Sequence, residues 1–247
     1  MKTVKISDAG NLMRVCIYSR GSRWDSDTAR KVKKMCSTEA RKRINQLKSE
    51  QKLSEYVAAN FDSGDYHVVF DLSENFFTPD YRVLKKYWQQ FLKRVRKDRS
   101  AKEMDSLRYI YVIEGLHGDH RPHIHALLKA DDMDGDSWAI ICKQWFYGTV
   151  SEFKIADWEH RNHIGHYLSK EPREKGRIHV GQRSFDCSRN LRRPRRISYS
   201  MPESNCFKIP DGYEIIVSDT KNNPFGSFEY FVLKKTGADV DVDVWTR

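Results

Sequence analysis

Glu114-Gly-Leu-His-Gly-Asp-His-Arg-Pro-His-Ile-His125 puts two carboxylates and four imidazoles on a single short stretch, between two apolar runs. Ahead of it, Tyr109-Ile-Tyr-Val-Ile-Glu114 is rich in aromatic and β-branched residues, and behind it His123-Ile-His-Ala-Leu-Leu128 continues apolar. Both flanks therefore read as strands. Gly115, Gly118, Asp119 and Pro122 supply the turn between them. Side chains alternate along a strand, so His123 and His125 share one face while Ile124 and Ala126 take the other. Two imidazoles on one face of an apolar strand need polar partners, because burying them bare costs a few kcal/mol. The hairpin reads as a metal site.

Working outward, Tyr66-His-Val-Val-Phe-Asp-Leu72 reads as a buried strand after the turn cluster Phe61-Asp-Ser-Gly-Asp65. Thr78-Pro-Asp offers an N-cap with Pro at the first helical position, and Leu84, Trp88, Phe91, Leu92 and Val95 follow at helical spacing. Ser137–Trp145 reads as a helix and Gly148–Ile155 as a strand. The acidic run Asp131–Asp136 lacks the ligand spacing of a calcium loop. The order strand, helix, strand, strand, helix, strand predicts an α+β fold, an antiparallel sheet with helices packed on one face. His160–Pro172 reads as a further helix, on which Tyr167 and Lys170 project together.

The flanks are less regular. A short strand is expected around Val15–Tyr18, then a polar stretch through Gly21, Ser22, Asp25 and Ser26. From Thr38, Ala40, Ile44 and Leu47 fall at helical spacing among Arg41, Lys42, Arg43 and Lys48, predicting a basic amphipathic helix with a solvated charged face. Beyond Lys175, Arg183, Arg189, Arg192, Arg193, Arg195 and Arg196 make a basic segment, read either as a phosphate-binding surface or as a basic linker. Tyr213–Val217 and Phe228–Leu233 read as a closing strand pair, and the tail 239–244 alternates. These divisions give an N-terminal extension over 1–60, a central domain over 61–200 and a C-terminal β extension over 201–247.

With 44 Lys and Arg against 34 Asp and Glu in 247 residues, the net charge of +10 favours a polyanionic partner. A hydrophobic content of 39% is enough for a core. No run reaches the roughly 18 apolar residues of a membrane span, and Met1–Ile6 is not followed by a signal-like segment, so a soluble, cytoplasmic protein is expected. Five scattered cysteines without a C-x-x-C pair argue against a disulfide framework and a Cys-rich zinc site. No phosphate loop of the form G-x-x-x-x-G-K-[ST] occurs, so any helicase is expected in trans.

His123-Ile-His125 on a strand, followed by Tyr167-Leu-Ser-Lys170 on a later helix, resembles the HUH endonuclease superfamily in its branch of rolling-circle replication initiators. The strand 66–72 and Trp145-Phe-Tyr-Gly148 are similar to those of small filamentous phages and plasmids, and the resemblance covers roughly residues 60–200. It implies a metal-dependent nickase, sequence- or hairpin-directed, acting on single-stranded DNA at an origin in a bacterial host cell. It also implies His123 and His125 as metal ligands, Tyr167 as nucleophile and Lys170 as its cationic companion. Glu114, nine residues before His123, fits the family's third ligand, with His117 and His120 as competitors. The chemistry of such a site favours Mg²⁺ or Mn²⁺, Mn²⁺ tolerating imidazole better. Only one tyrosine stands between His160 and Pro172, against mechanisms needing two. A relaxase or single-tyrosine transposase shares these motifs. A non-catalytic nucleic-acid-binding module with zinc on His117, His120, His123 and His125 is the alternative of another class.

Overall fold

A computed structural model describes residues 1–19, 38–118, 120–133, 135–156, 164–170, 183–223 and 226–236. The polar stretch 21–26, the tail 239–244 and the ends of the helix expected over 160–172 lie outside these residues. The chain forms two compact units, one from residues 44–192 and one from residues 1–43 with 193–247. This division differs from the expected boundaries at 60 and 200, because strands from both chain ends pair in one sheet.

In the unit 44–192, five strands lie in the order β6-β3-β5-β4-β7, and every pairing is antiparallel. They are β3 (Tyr66–Asp71), β4 (Tyr109–Glu114), β5 (His123–Leu128), β6 (Val150–Lys154) and β7 (Asp186–Cys187). Helices α1 (Thr38–Asn60), α2 (Tyr81–Ala101) and α3 (Gly135–Gln144) accompany them. α2 starts two residues later than the Thr78-Pro79 signal suggests: Asp80 is the cap, accepting from Arg82 N through its side chain. The Thr78 hydroxyl instead accepts from Asp80 N at 3.1 Å.

Both faces of this sheet are covered, not one as expected. On one face Val68, Phe70, Ile124, Ala126 and Leu128 meet Leu84, Trp88, Phe91 and Val95 of α2 and Ile140 and Ile141 of α3 in a single core. Its centre is aromatic, with Phe70 at 5.2 Å from Trp88 and 5.0 Å from Trp145 between ring centroids. Each such ring contributes roughly 1.5–3 kcal/mol by leaving water. On the other face Ile110, Val112 and Leu127 meet Leu53, Val57 and Phe61 and, from the later segment, Ile164 and Leu168. A doubly covered sheet needs apolar residues at nearly every strand position, which is why β4 and β5 are buried at all but their first residue.

The buried stripe of α1 also differs from the expected one. Ile44 and Leu47 are exposed, and it is Leu53 and Val57, further along the helix, that face the sheet. Asn60 at the helix end holds the backbone of Arg192 reciprocally, its Oδ1 accepting from Arg192 N at 2.7 Å and its Nδ2 donating to Arg192 O at 3.0 Å.

The other unit is a five-stranded antiparallel sheet in the order β8-β1-β2-β10-β9. Its strands are β1 (Lys2–Asp8), β2 (Leu12–Ser19), β8 (Arg195–Met201), β9 (Tyr213–Asn223) and β10 (Gly226–Lys235). Val4, Ile6, Met13, Val15, Ile17, Met201 and Leu233 form its core. Val4 and Ile6 of β1, and Ile197, Tyr199 and Met201 of β8, alternate with polar residues as strand residues do, although neither segment is among the expected strands; β8 begins inside the basic segment 183–196. Among the described residues no helix is long and apolar enough to cross a membrane, and no disulfide joins Cys16, Cys142, Cys187 and Cys206 to one another.

Candidate active site

The register of the β4–β5 hairpin sets Glu114 directly opposite His123, and His125 follows two residues along the same face. One ligand atom from each of the three lies within 4.8 Å of the others. Nε2 of His123 and Nε2 of His125 are 3.0 Å apart, and Glu114 Oε2 is 3.5 Å from the latter and 4.0 Å from the former. His117 and His120 are not in this cluster, so the four-histidine arrangement is not formed.

The hydrogen-bond network bears on which nitrogens are free to bind. His123 Nδ1 is 2.7 Å from the carbonyl oxygen of Arg121. A carbonyl only accepts, so Nδ1 carries the proton and Nε2 keeps its lone pair toward Glu114 and His125. His125 Nδ1 in turn lies 3.0 Å from Nε2 of His67, which reaches across from β3. If His125 Nδ1 donates there, its Nε2 also presents a lone pair, and both imidazoles face the same point. Ligands about 2.1 Å from an octahedral ion and at right angles to each other stand about 3.0 Å apart. The spacing of the two nitrogens therefore fits a cation between them, with Glu114 supplying the negative charge and His67 and the Arg121 carbonyl fixing ring orientation. His125 is nearly fully buried, and burial, helped by His123 and His67, pushes its pKa down to about 3. Neutral imidazole, the ligating form, is thus its ordinary state.

Tyr167 borders this cluster. Residues 164–167 are helical, and Ile164 and Leu168 anchor the segment in the second core. Gly165 permits a close approach to α1, since a Cβ there would stand 3.0 Å from Cα of Ser54. His166 Nδ1 pairs with Glu50 Oε1 of α1 at 2.6 Å. Held in this way, the Tyr167 ring lies 5.7 Å from that of His125 and 6.3 Å from that of His67, edge-on to both, while half of its surface stays exposed. Partial burial and the negative charge of Glu114 raise its pKa. Lys170 is exposed, and among the described residues no ion pair or hydrogen bond joins it to the cluster.

Arg189, Arg192, Arg193, Arg195 and Arg196 are not buried; the first three stand in turn or irregular backbone and the last two on β8. Arg183 donates to Asp186 at 2.7 Å, and Asp186 also receives Lys85 at 3.3 Å. His67 is a site residue that no sequence motif singles out. It stands opposite Leu127 in the antiparallel β3–β5 register and reaches His125 diagonally, a meeting that only the strand pairing reveals.

Residues 75–172 match a family model described as a replication-associated protein, of the ORF2 type. The matched span contains Glu114, His123, His125, Tyr167 and Lys170, and it excludes His67, the arginines and the whole of the other unit. No curated protein and no solved structure gave a significant match. The family match supports a replication initiator.

Proposed function

We propose that this replication-associated chain nicks and rejoins single-stranded DNA at an origin of rolling-circle replication, by transesterification through Tyr167. The observation that carries this reading is a carboxylate and two imidazoles converging within 4.8 Å, with a half-exposed tyrosine edge-on to one of the rings. A buried metal-like cluster without a nucleophile would suit a structural role; the adjoining phenol suits phosphoryl chemistry.

Glu114, His123 and His125 would hold a divalent cation, Mg²⁺ or Mn²⁺. Such an ion offsets the charge of the phosphate oxygens and opposes the effect of Glu114 on the phenol. The Tyr167 oxygen gives up its proton and attacks phosphorus, the bond to the 3′ oxygen breaks, and that oxygen leaves as a 3′ hydroxyl after taking up a proton. The product is a 5′-phosphotyrosine diester. It retains a phosphodiester's bond energy, so attack by a 3′ hydroxyl reverses the step without ATP. His67 and the Arg121 carbonyl keep the two imidazoles in their ligating tautomers throughout. Lys170, three residues from the nucleophile, is available as a cationic companion for the phosphate. A host helicase acting in trans would supply unwinding.

The test uses oligonucleotides labelled at either end, Mn²⁺ and no nucleotide. A covalent adduct should form with the strand on the 3′ side of the nick, and Tyr167→Phe should abolish it while leaving DNA binding intact. Label from the 5′ side retained on the protein, undiminished adduct in the variant, or a strict need for ATP in rejoining would each contradict the reading.

A further inference from the structure

Beside the β4–β5 hairpin lies a cleft of about 320 Å³, lined by Phe77, Gly115, His120, Arg121 and Pro122 among others. We propose that it binds one nucleobase of the strand being cut, next to the scissile phosphate, and stacks it on Phe77. Because the base belongs to the strand that Tyr167 would cleave, the assignment rests on the function proposed above.

Phe77 is a large apolar ring with 50% of its surface exposed, in the segment between a 3₁₀ turn (Glu74–Phe76) and α2. An aromatic left this open has surface to gain by stacking. The Arg121 guanidinium carbon stands 5.7 Å from its ring centroid. That guanidinium is not loose: its Nη2 donates to the carbonyl of Leu72 at 3.0 Å. A ring and a planar cation side by side are the two surfaces on which unpaired bases stack, and the cation can also meet a backbone phosphate. The volume lies at the lower end of the range for small-ligand pockets and accommodates a single base.

The cleft is also tied to the metal cluster through the chain itself. Gly115 follows Glu114 and Pro122 precedes His123. Gly115 has a φ of +77°, and a Cβ there would stand 2.4 Å from Arg121 O, so only glycine allows the two sides of the hairpin to pinch together. The carbonyl brought in by this pinch is the one that accepts from His123 Nδ1 at 2.7 Å. Arg121 therefore meets the cleft with its side chain and orients a metal-cluster imidazole with its backbone. A base seated against Phe77 and Arg121 would hold the neighbouring phosphate in register with Glu114, His123 and His125, giving the nuclease a need for a base at one nucleotide position.

The experiment has a binding arm and a cleavage arm. In the first, a short dT single strand with one central 2-aminopurine is added to Tyr167→Phe protein, which cannot cut. Stacking should quench the 2-aminopurine fluorescence; combining this variant with Phe77→Ala should remove the quench, and combining it with Phe77→Trp should keep it. In the second, a cleaved strand carries a single abasic residue moved one nucleotide at a time past the nick. One position should lower kcat/KM about tenfold, the effect of one lost base stack. In Phe77→Ala the intact strand should be slower by a similar factor and the abasic residue should cost nothing more. Quenching without cleavage of any strand would retain the base site and remove the nuclease reading. Cleavage with a flat abasic profile, or with a penalty that persists in Phe77→Ala, would remove the base site and leave the nuclease.

Discussion

His67 lies outside the motif residues, yet its Nε2 stands 3.0 Å from His125 Nδ1, the nitrogen on the far side of the ring from the candidate metal. Partners of this kind set the tautomer of a ligating histidine, and their loss typically lowers metal affinity about 10- to 100-fold. His67→Ala should weaken Mn²⁺ binding by that order in calorimetry. His67→Gln, whose amide oxygen can still accept a hydrogen bond from His125 Nδ1, should lose less. Equal affinity in all three proteins would reduce His67 to a packing residue. A second residue-scale expectation concerns Tyr213, whose buried hydroxyl has no hydrogen-bond partner among the described residues. Burial, then the charge of Asp8, pushes its pKa up to about 12 from an ordinary value of 10. A phenol with a raised pKa resists ionising in the folded protein. Its contribution to stability is therefore complete below pH 10 and is lost as pH rises from 10 through 12. Tyr213→Phe should flatten the alkaline limb of a stability–pH curve followed by circular dichroism, and an unaltered limb would place the dependence elsewhere.

At the scale of elements, α2, α3 and the sheet are locked by the short link between α3 and β6. Trp145 Nε1 donates to the carbonyl of Asp71 at 3.0 Å, and the backbones of Ser73 and Tyr147 are joined at 2.8 Å. Gly148 makes this approach possible, since a Cβ there would stand 2.1 Å from Asp71 O. The neighbour is backbone at the end of β3 and cannot swing away. Gly148→Ala should destabilise the protein by about 2 kcal/mol or more, the scale of overpacking strain. Urea denaturation checks it, and a loss below about 0.5 kcal/mol would mean that the β3 end shifts freely.

For the whole molecule, the excess of basic residues is the feature with the longest reach. Of Arg189, Arg192, Arg193, Arg195 and Arg196, none is buried, and the last two stand on a strand instead of a linker. They offer no helix to read base edges, so they should contribute affinity without sequence preference. Each phosphate contact removed by an Arg→Ala change should flatten the slope of log affinity against log salt on single strands by about 0.7. A multiple variant with the wild-type slope would assign these side chains to solvation alone. Arg183, already paired with Asp186 at 2.7 Å, should change the slope least.

The hairpin around Glu114–His125, the helix carrying Trp88 and the strand 66–71 are legible in the sequence because each is specified by local signals: alternation, turn residues and spacings of three and four. The same locality makes the α+β class readable. Tertiary structure decided what depends on distant partners. α1 turns its Leu53 and Val57 to the sheet and leaves Ile44 and Leu47 in water, since both sets have helical periodicity and only the available face selects between them. β1 and β8 pair with each other from opposite ends of the chain, Asp8 against Arg195, a pairing no local window contains. His67 meets His125, and Tyr167 meets both rings, through strand order and the close approach at Gly165. Sequence thus determined the chemical character of each element, while the convergence of three elements on one site followed from pairing and packing, whose energies are set by residues far apart in the chain.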